Sequence, residues 1–244
     1  SFVFHLKMSC GCFVLSLTFL RLTREPNSEA GTINSDWRTY KKDLVKILKN
    51  DHNFRRFIIS SIVITIGGMG TGFFTISAIR QFDVADSTVG LYTLAMLLGQ
   101  TVGNLVLGWL ADKYGHKQSL EIGVVSILLA FVLAVLIPSQ ACYFIVFILF
   151  GINLSSGIVS GILVVLEFCE IHRIPTYSGL SNTARGVVSL FVPFIATQIA
   201  QFNYSLLFSI CAVITFLGLV LMNRWVKEPR WNKDFPDLTK DLLE

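Results

Sequence analysis

Gly108-Trp109-Leu110-Ala111-Asp112-Lys113-Tyr114-Gly115-His116-Lys117-Gln118-Ser119-Leu120 is a short polar interruption between two apolar runs, residues 89–110 and 120–137. Each run is near the roughly 20 residues that cross a hydrocarbon core about 30 Å thick, so the interruption must turn one membrane helix into the next at one face. Gly108 suits a closely packed helix end and Gly115 a backbone with positive φ, while Asp112 offers a carboxylate to a helix N-terminus or a neighbouring cation. Lys113, His116 and Lys117 put basic groups where headgroups meet the cytoplasm. By composition alone an ordinary basic loop between two helices reads the same way.

Four more apolar runs, 57–78, 142–166, 177–200 and 204–226, make six in all, joined by short links. The 244 residues are 53% hydrophobic and 15% charged, with a mean hydropathy of +0.64, which leaves too little polar sequence to cover a soluble fold. The net charge of +4 does not point to nucleic acid, because the basic residues lie between apolar runs rather than along one soluble face. If the Gly108–Leu120 turn is cytoplasmic, the stretch 21–56, the link 168–176 and the end of the chain from Arg224 lie on the same side. That side then carries 17 of the 20 lysines and arginines, which fixes the orientation.

Residues 1–20 form a further apolar run ending in Arg21-Leu22-Thr23-Arg24 with no small-residue cleavage site, so they read as the remnant of a preceding membrane helix rather than a signal peptide. His5 and Lys7 in that run have to reach an interface or face other protein. Residues 21–56 read as a cytoplasmic connector: a flexible stretch, 26–31, then Trp37, Tyr40, Leu44, Ile47 and Leu48 at helical spacing among lysines and arginines. That basic amphipathic helix either lies on an anionic membrane surface or simply tethers two halves. Residues 57–227 hold the six spans and 228–244 form a cytoplasmic tail.

Gly68 and Gly72, Gly99 and Gly103, and Gly157 and Gly161 are each one helical turn apart, as close helix contacts require. The cluster Gly67-Gly68-Met69-Gly70-Thr71-Gly72 is denser than packing needs and predicts a bend or break. Polar groups at membrane depth are Gln100 and Asn104 on the second span, Asn153 on the fourth, and Asn182 and Arg185 on the fifth; they either bond between helices or line a cavity. Arg185 needs a carboxylate, a cavity or an interface, and Glu167 at the end of the preceding span is the candidate ion-pair partner. The five cysteines read as small apolar filler, and the four histidines have no metal-ligand spacing. No nucleophile elbow or phosphate loop is present, so neither an enzyme nor a cofactor or metal is expected.

The turn resembles the signature of the major facilitator superfamily, with Gly108, Leu110, Ala111, Asp112, Gly115, Lys117 and Leu120 on that family's positions. Lys113 and His116 stand where arginine is usual; lysine keeps the charge without the planar fork, and His116 is only partly charged near neutral pH. The stretch Pro175-Thr176-Tyr177-Ser178-Gly179-Leu180-Ser181-Asn182-Thr183 is similar to the start of the family's eleventh helix. The resemblance implies an all-α integral membrane protein: a six-helix bundle of two inverted three-helix repeats plus the remnant of a sixth helix, the C-terminal half of a transporter. It further implies a bacterial or archaeal cell membrane, a small solute with or without a coupling ion, and an N-terminal six-helix half as partner. Gly108, Asp112, Lys113, Gly115, His116 and Lys117 would then be gating residues, and Gln100, Asn104, Asn153, Asn182 and Arg185 candidates for the cavity. Two other classes stay open: a seven-helix receptor-like protein, and a non-transporting membrane partner.

Overall fold

Asp51 opens the first long helix: its Oδ1 accepts from the Phe54 amide at 2.8 Å, and α1 follows over His52–Gly67. The computed structural model describes residues 8, 11–13, 15–19, 44, 47–169 and 173–231. The chain divides into two units, Ser1–Lys42 and Asp43–Glu244. In the first unit the described residues are helical with exposed side chains. Expectations placed on His5, Lys7, residues 21–42, Glu170, His172 and the tail beyond 231 lie outside the described residues.

The second unit is all-α, with no strand among the described residues. After α1 comes a 3-10 segment, Gly68–Phe73, then α2 over Phe74–Phe82, α3 over Asp86–Tyr114 and α4 over His116–Leu136. Then follow α5 (Gln140–Ser160), the short α6 (Leu163–Leu166), α7 (Ile174–Phe202) and α8 (Tyr204–Trp225). They make six spans long and apolar enough to cross a membrane: His52–Phe82, Asp86–Tyr114, His116–Leu136, Gln140–Leu166, Ile174–Phe202 and Tyr204–Trp225. The helices outrun the apolar runs, so the links shrink to residues 83–85, Gly115, 137–139 and Asn203. Hydropathy marks only hydrocarbon depth, whereas polar interfacial residues keep their backbone bonds by continuing the helix. Caps close the ends: Ser139 Oγ accepts from the Cys142 amide at 3.2 Å and Asn203 Oδ1 from the Ser205 amide at 2.7 Å. Ile47 and Leu48, expected on the apolar face of the connector helix, pack against the protein's own core.

Contacts between spans repeat. The second packs on the fourth and the fifth on the first; the third packs on the fourth and the sixth on the first; the third and sixth pack on each other. Exchanging spans one to three with spans four to six maps this set onto itself. Three is odd, so the two units enter the membrane from opposite sides, which makes the bundle an inverted repeat.

Glycines decide how closely the helices approach, but only some of the expected pairs take part. A Cβ on Gly99 would collide with the Ile148 carbonyl and one on Gly151 with the Met96 carbonyl, so α3 and α5 touch backbone to backbone; Gly103 adds contact with Ser155. A Cβ on Gly68, Gly72 or Gly157 would meet open space, and Gly161 lies at the break after α5. The glycine cluster of the first span does interrupt the helix, as the 3-10 segment. Gly67 and Gly70 press it on α8, where a Cβ would strike Thr215 and Cys211.

Two cores fill the bundle. One, around Phe74, Tyr92, Phe131, Tyr143 and Phe208, includes a buried bond of 2.6 Å between the Ser77 and Tyr143 hydroxyls. The other, at the end where α3 turns into α4, gathers Phe54, Phe57, Val164, Phe168, Tyr177 and Met222. There the Tyr177 hydroxyl donates to Asp51 Oδ2 at 3.3 Å, tying the start of α7 to the start of α1.

Gly151→Ala is expected to lower the melting temperature of the detergent-purified protein, overpacking of this kind costing about 1–3 kcal/mol. Gly186→Ala, where a Cβ meets nothing within 4 Å, is expected to leave it unchanged or raise it. Equal melting of the two variants would show that the α3–α5 backbone contact does not limit stability.

Candidate functional site

Only Gly115 separates α3 from α4, and its φ of 102° with ψ of 153° is open to glycine and strained for other residues. So abrupt a reversal leaves two helix ends side by side: the last carbonyls of α3, which carry partial negative charge, and the first amides of α4, which carry partial positive charge. Each end receives an opposite charge from elsewhere in the chain. Arg230, on the 3-10 turn Pro229–Trp231, donates through one guanidinium nitrogen to the Asp112 carbonyl at 2.6 Å and the Ala111 carbonyl at 3.3 Å. Glu167, just beyond α6, comes near enough to the His116 amide for that amide to favour its charged form, although one of its oxygens is buried without a hydrogen-bond partner. The His116 ring adds a bond of 3.1 Å between Nδ1 and the buried Ser160 hydroxyl. Glu228 closes the knot from below: a Cβ on Gly115 would sit 2.5 Å from its Oε1.

Further out, Lys117 pairs with Glu121 at 3.1 Å, and Glu121 accepts from Asn223 of α8 at 3.3 Å. Lys113 Nζ lies 5.1 Å from the ring centres of both Trp109 and Tyr114. Asn53 and the Lys227 backbone exchange two bonds, of 2.9 and 3.0 Å, and Arg56 reaches the Trp225 carbonyl at 3.4 Å. The start of α1 therefore caps the end of α8 and fixes the segment that carries Glu228 and Arg230.

The expected gating residues thus meet in one place, with three different outcomes. Gly115, His116 and Lys117 are built into the knot. Asp112 is exposed and enters through its backbone carbonyl, not through the carboxylate expected to bridge. A Cβ on Gly108 would meet open space, so its expected close contact is not made within this chain.

The expected cavity residues are less concentrated. Gln100 is half-buried and Asn104 and Asn182 are exposed, whereas Asn153 donates to the Gly123 carbonyl at 2.9 Å and so joins α5 to α4. Arg185 and Glu167 form no ion pair. Arg185 bonds along its own helix, to the Asn182 side chain at 3.0 Å and the Ser181 carbonyl at 3.4 Å. The charge that acts on Glu167 is that of Arg230, not Arg185, so the pair expected from their membrane depth is not made.

The sequence profile of the Major Facilitator Superfamily matches residues 57–242. The chain belongs to that family. Among its relatives, a Bacillus subtilis (strain 168) protein named "Putative metabolite transport protein YncC" is 35% identical over 78 residues, 28% of this chain and 17% of its own length. An "Uncharacterized protein" of Archaeoglobus fulgidus is 27% identical over 177 residues, 71% of this chain and 70% of its own length. Family membership and six apolar spans make this an integral membrane protein of a transporter family.

In this Major Facilitator Superfamily chain the residues that sequence reasoning missed are Glu228 and Arg230, placed at the head of an undifferentiated tail. The available signal was Lys227-Glu228-Pro229-Arg230: a proline one residue after an acid, close behind the last span, marks a stop and a turn rather than a trailing end. Burial, together with the negative charge of Glu167, pushes the Glu228 carboxyl up to about 7, against weaker pulls from Lys117 and Arg230; Glu121 adds to the rise. Burial likewise raises Glu167, with Arg230 and the His116 amide pulling it back.

From the ordinary glutamate value of 4.5 up to about 7, the folded chain holds a proton at Glu228 that the unfolded chain has released. The stabilisation from that proton is complete below the lower value and is lost as pH rises through the upper one. The melting temperature is therefore expected to fall between about pH 5 and about pH 8, and Glu228→Gln to melt higher than the parent at the alkaline end. The fall should be shallower in the variant, Glu167 supplying the remainder. Identical pH profiles for variant and parent would remove Glu228 from this account.

Proposed function

We propose that the chain is the C-terminal half of a secondary transporter that moves a small solute by alternating access, driven by an ion gradient or by the solute's own gradient, without enzymatic chemistry. On this reading residues 1–20 end a sixth helix, 21–56 connect the halves, 57–227 form the bundle and 228–244 the tail. The connector, the Gly115 turn and the tail are cytoplasmic, as the placement of 17 of the 20 lysines and arginines favours. The partner is an N-terminal six-helix half, and the solute site lies between the halves, faced by the first, second, fourth and fifth spans. Gln100, Asn104, Asn182 and Arg185 remain candidates for that site because they are exposed or half-buried. Asn153 is spent on the Gly123 carbonyl and is better read as structural.

The observation that carries this reading is the one-residue reversal at Gly115, bonded by Arg230 and Ser160 from two other parts of a chain that the family matches over residues 57–242. A junction of discrete hydrogen bonds at one membrane face can be whole in one state and broken in another, as a gate requires. Arg230→Gln removes the cation from the α3 carbonyls, whereas Asp112→Asn leaves the carbonyl that Arg230 uses. In the complete transporter, Arg230→Gln is expected to increase labelling of a cysteine placed at position 118 by a membrane-impermeant reagent applied from the cytoplasmic side, and Asp112→Asn to label like the parent. Equal labelling in all three proteins would remove the gating role.

The Archaeoglobus relative favours a second reading. Its 177 matched residues are 70% of its length, so it is about 250 residues long, the size of one six-helix half with its connector. Half-length chains of this kind would work by pairing with another chain. Vesicles holding only these 244 residues separate the two readings: metabolite uptake no greater than in empty vesicles is expected if a covalent N-terminal half is needed, and uptake above that control would favour the paired half-length chain.

A further inference from the structure

Among the described residues the middle of the six spans holds one full charge, Arg185. The acids of those spans are Asp86, Asp112 and Glu121, each at or within six residues of a helix end, and Glu121 is paired with Lys117. Arg185 lies three residues from the middle of α7, about 4.5 Å along the axis and toward the Gly115 end. Gln100 is the middle residue of α3, and Asn104 is one turn from it, displaced toward the same end. The break in the first span begins at Gly68, next to the middle residue of that span. A cation, two amides and a helix break therefore share one depth, where a transported solute is held.

The guanidinium of Arg185 has five N–H donors, and its two edges are used differently. The edge formed by Nε and Nη2 is bound to α7 itself, Nε to the Ser181 carbonyl at 3.4 Å and Nη2 to Asn182 Oδ1 at 3.0 Å. The other edge, one N–H of Nη1 beside one of Nη2, meets no acceptor among the described residues. It is a free fork of the spacing that a carboxylate fills with two parallel bonds. With its Oδ1 taken, the exposed Asn182 amide offers its Nδ2 hydrogens, so the cluster presents donors only.

We propose that the solute is a small organic anion with one carboxylate, held bidentately by the free edge of Arg185 and by the Asn182 amide, with Gln100 and Asn104 of α3 binding its uncharged polar groups. A neutral solute would leave the cation without a counter-charge at a depth where that is costly, and a cationic one would be repelled. A dianion would bring a second charge to a depth where this bundle offers only amides. Both protein bonds of Arg185 return to α7, so a carboxylate on the free edge travels with that helix. The assignment deepens the transport reading and rests on it for the second wall of the site and for solute movement.

In the complete transporter a cysteine introduced by Ser189→Cys, at an exposed position one turn from Arg185, reports occupancy through protection from alkylation. Lactate, nicotinate and benzoate are each compared with their own amides, and benzoate also with benzamidinium and phenylphosphonate. At least one carboxylate is expected to halve the alkylation rate at a concentration about tenfold below that of its amide, the size of one charge-assisted hydrogen bond. Benzamidinium should not protect. Arg185→Gln should erase the preference for acid over amide, and Arg185→Lys should keep a weakened one, since the charge remains without the fork. Asn182→Ala leaves the cation in place and should weaken carboxylate protection about threefold, which keeps the assignment testable if Arg185→Gln does not fold. Equal protection by acid and amide in all three pairs, or tighter protection by phenylphosphonate than by benzoate, would overturn the proposal. So would a lower melting temperature of Arg185→Gln with the acid preference intact, which would make Arg185 the partner of an acid in the N-terminal half. Uptake into vesicles separates the two readings: accumulation of the amides but not the acids overturns the anion assignment and keeps transport, whereas protection by the acids with no accumulation of any solute overturns transport and keeps the carboxylate site.

Discussion

The rest of the bundle depends on one backbone constraint, the reversal of two membrane helices through Gly115 alone. The Ala111 carbonyl accepts from the Gly115 amide at 2.9 Å, but with no loop to serve them the Asp112 carbonyl and the His116 amide have to look elsewhere, and near a membrane an unpartnered peptide group is costly. Arg230 bonds the α3 carbonyls, and the Glu167 carboxyl stands near the His116 amide, each charge suited to its helix dipole. Because these residues lie after the sixth span and after the fourth, the turn cannot be made without bringing both ends of the inverted repeat to one place. The Asn53–Lys227 exchange then becomes necessary, since the segment carrying Arg230 is only as well placed as the helix end it leaves.

Much of this was legible in the sequence, and the part that was not has a common cause. The turn, the six spans, the break at Gly67–Gly72 and the all-α membrane class follow from hydropathy and glycine spacing, which are local properties. Span ends were drawn short because a hydropathy run stops where polar side chains begin, whereas a helix stops where its backbone bonds can be satisfied otherwise, as at Asp83 with its left-handed φ of 48°. The partners of the turn were not legible. Glu167 was matched to Arg185 by depth, yet depth does not record that Arg185 bonds along its own helix while the cation acting on Glu167 is Arg230. Glu228 and Arg230 were hidden in a tail whose composition looks unstructured.

Glycine spacing was informative about contact but not about which glycine makes it. Gly99 and Gly103 sit against α5 as a one-turn pair should, yet Gly151 and Gly123, which belong to no such pair, make approaches at least as close. A contact between two helices needs small residues on either partner, and the sequence of one helix shows only its own side. Gly157 has the right spacing and faces nothing, so its position gains nothing from being small within this chain.

The internal repeat makes α3 and α7 counterparts, and the difference between them is where the fold leaves room for motion. Both have 29 residues and both pack on the first helix of the opposite repeat unit. α3 meets α5 through backbone contact at Gly99 and Gly151, whereas a Cβ on Gly179 or Gly186 of α7 would touch nothing. Its membrane window is 17% buried against 28% or more for the other spans, and Pro193 removes one of its internal bonds. Arg185 fits this picture. It lies about 12 Å beyond Tyr177 along the axis, and both hydrogen bonds of its side chain return to α7 itself. Such a charge keeps its partners when the helix shifts, so a displacement of α7 breaks no bond of Arg185, whereas an ion pair to a neighbouring span would have to be broken first. The least cohesive span thus carries its cation as a self-contained unit, and rearrangement costs least along the α1–α7 contact.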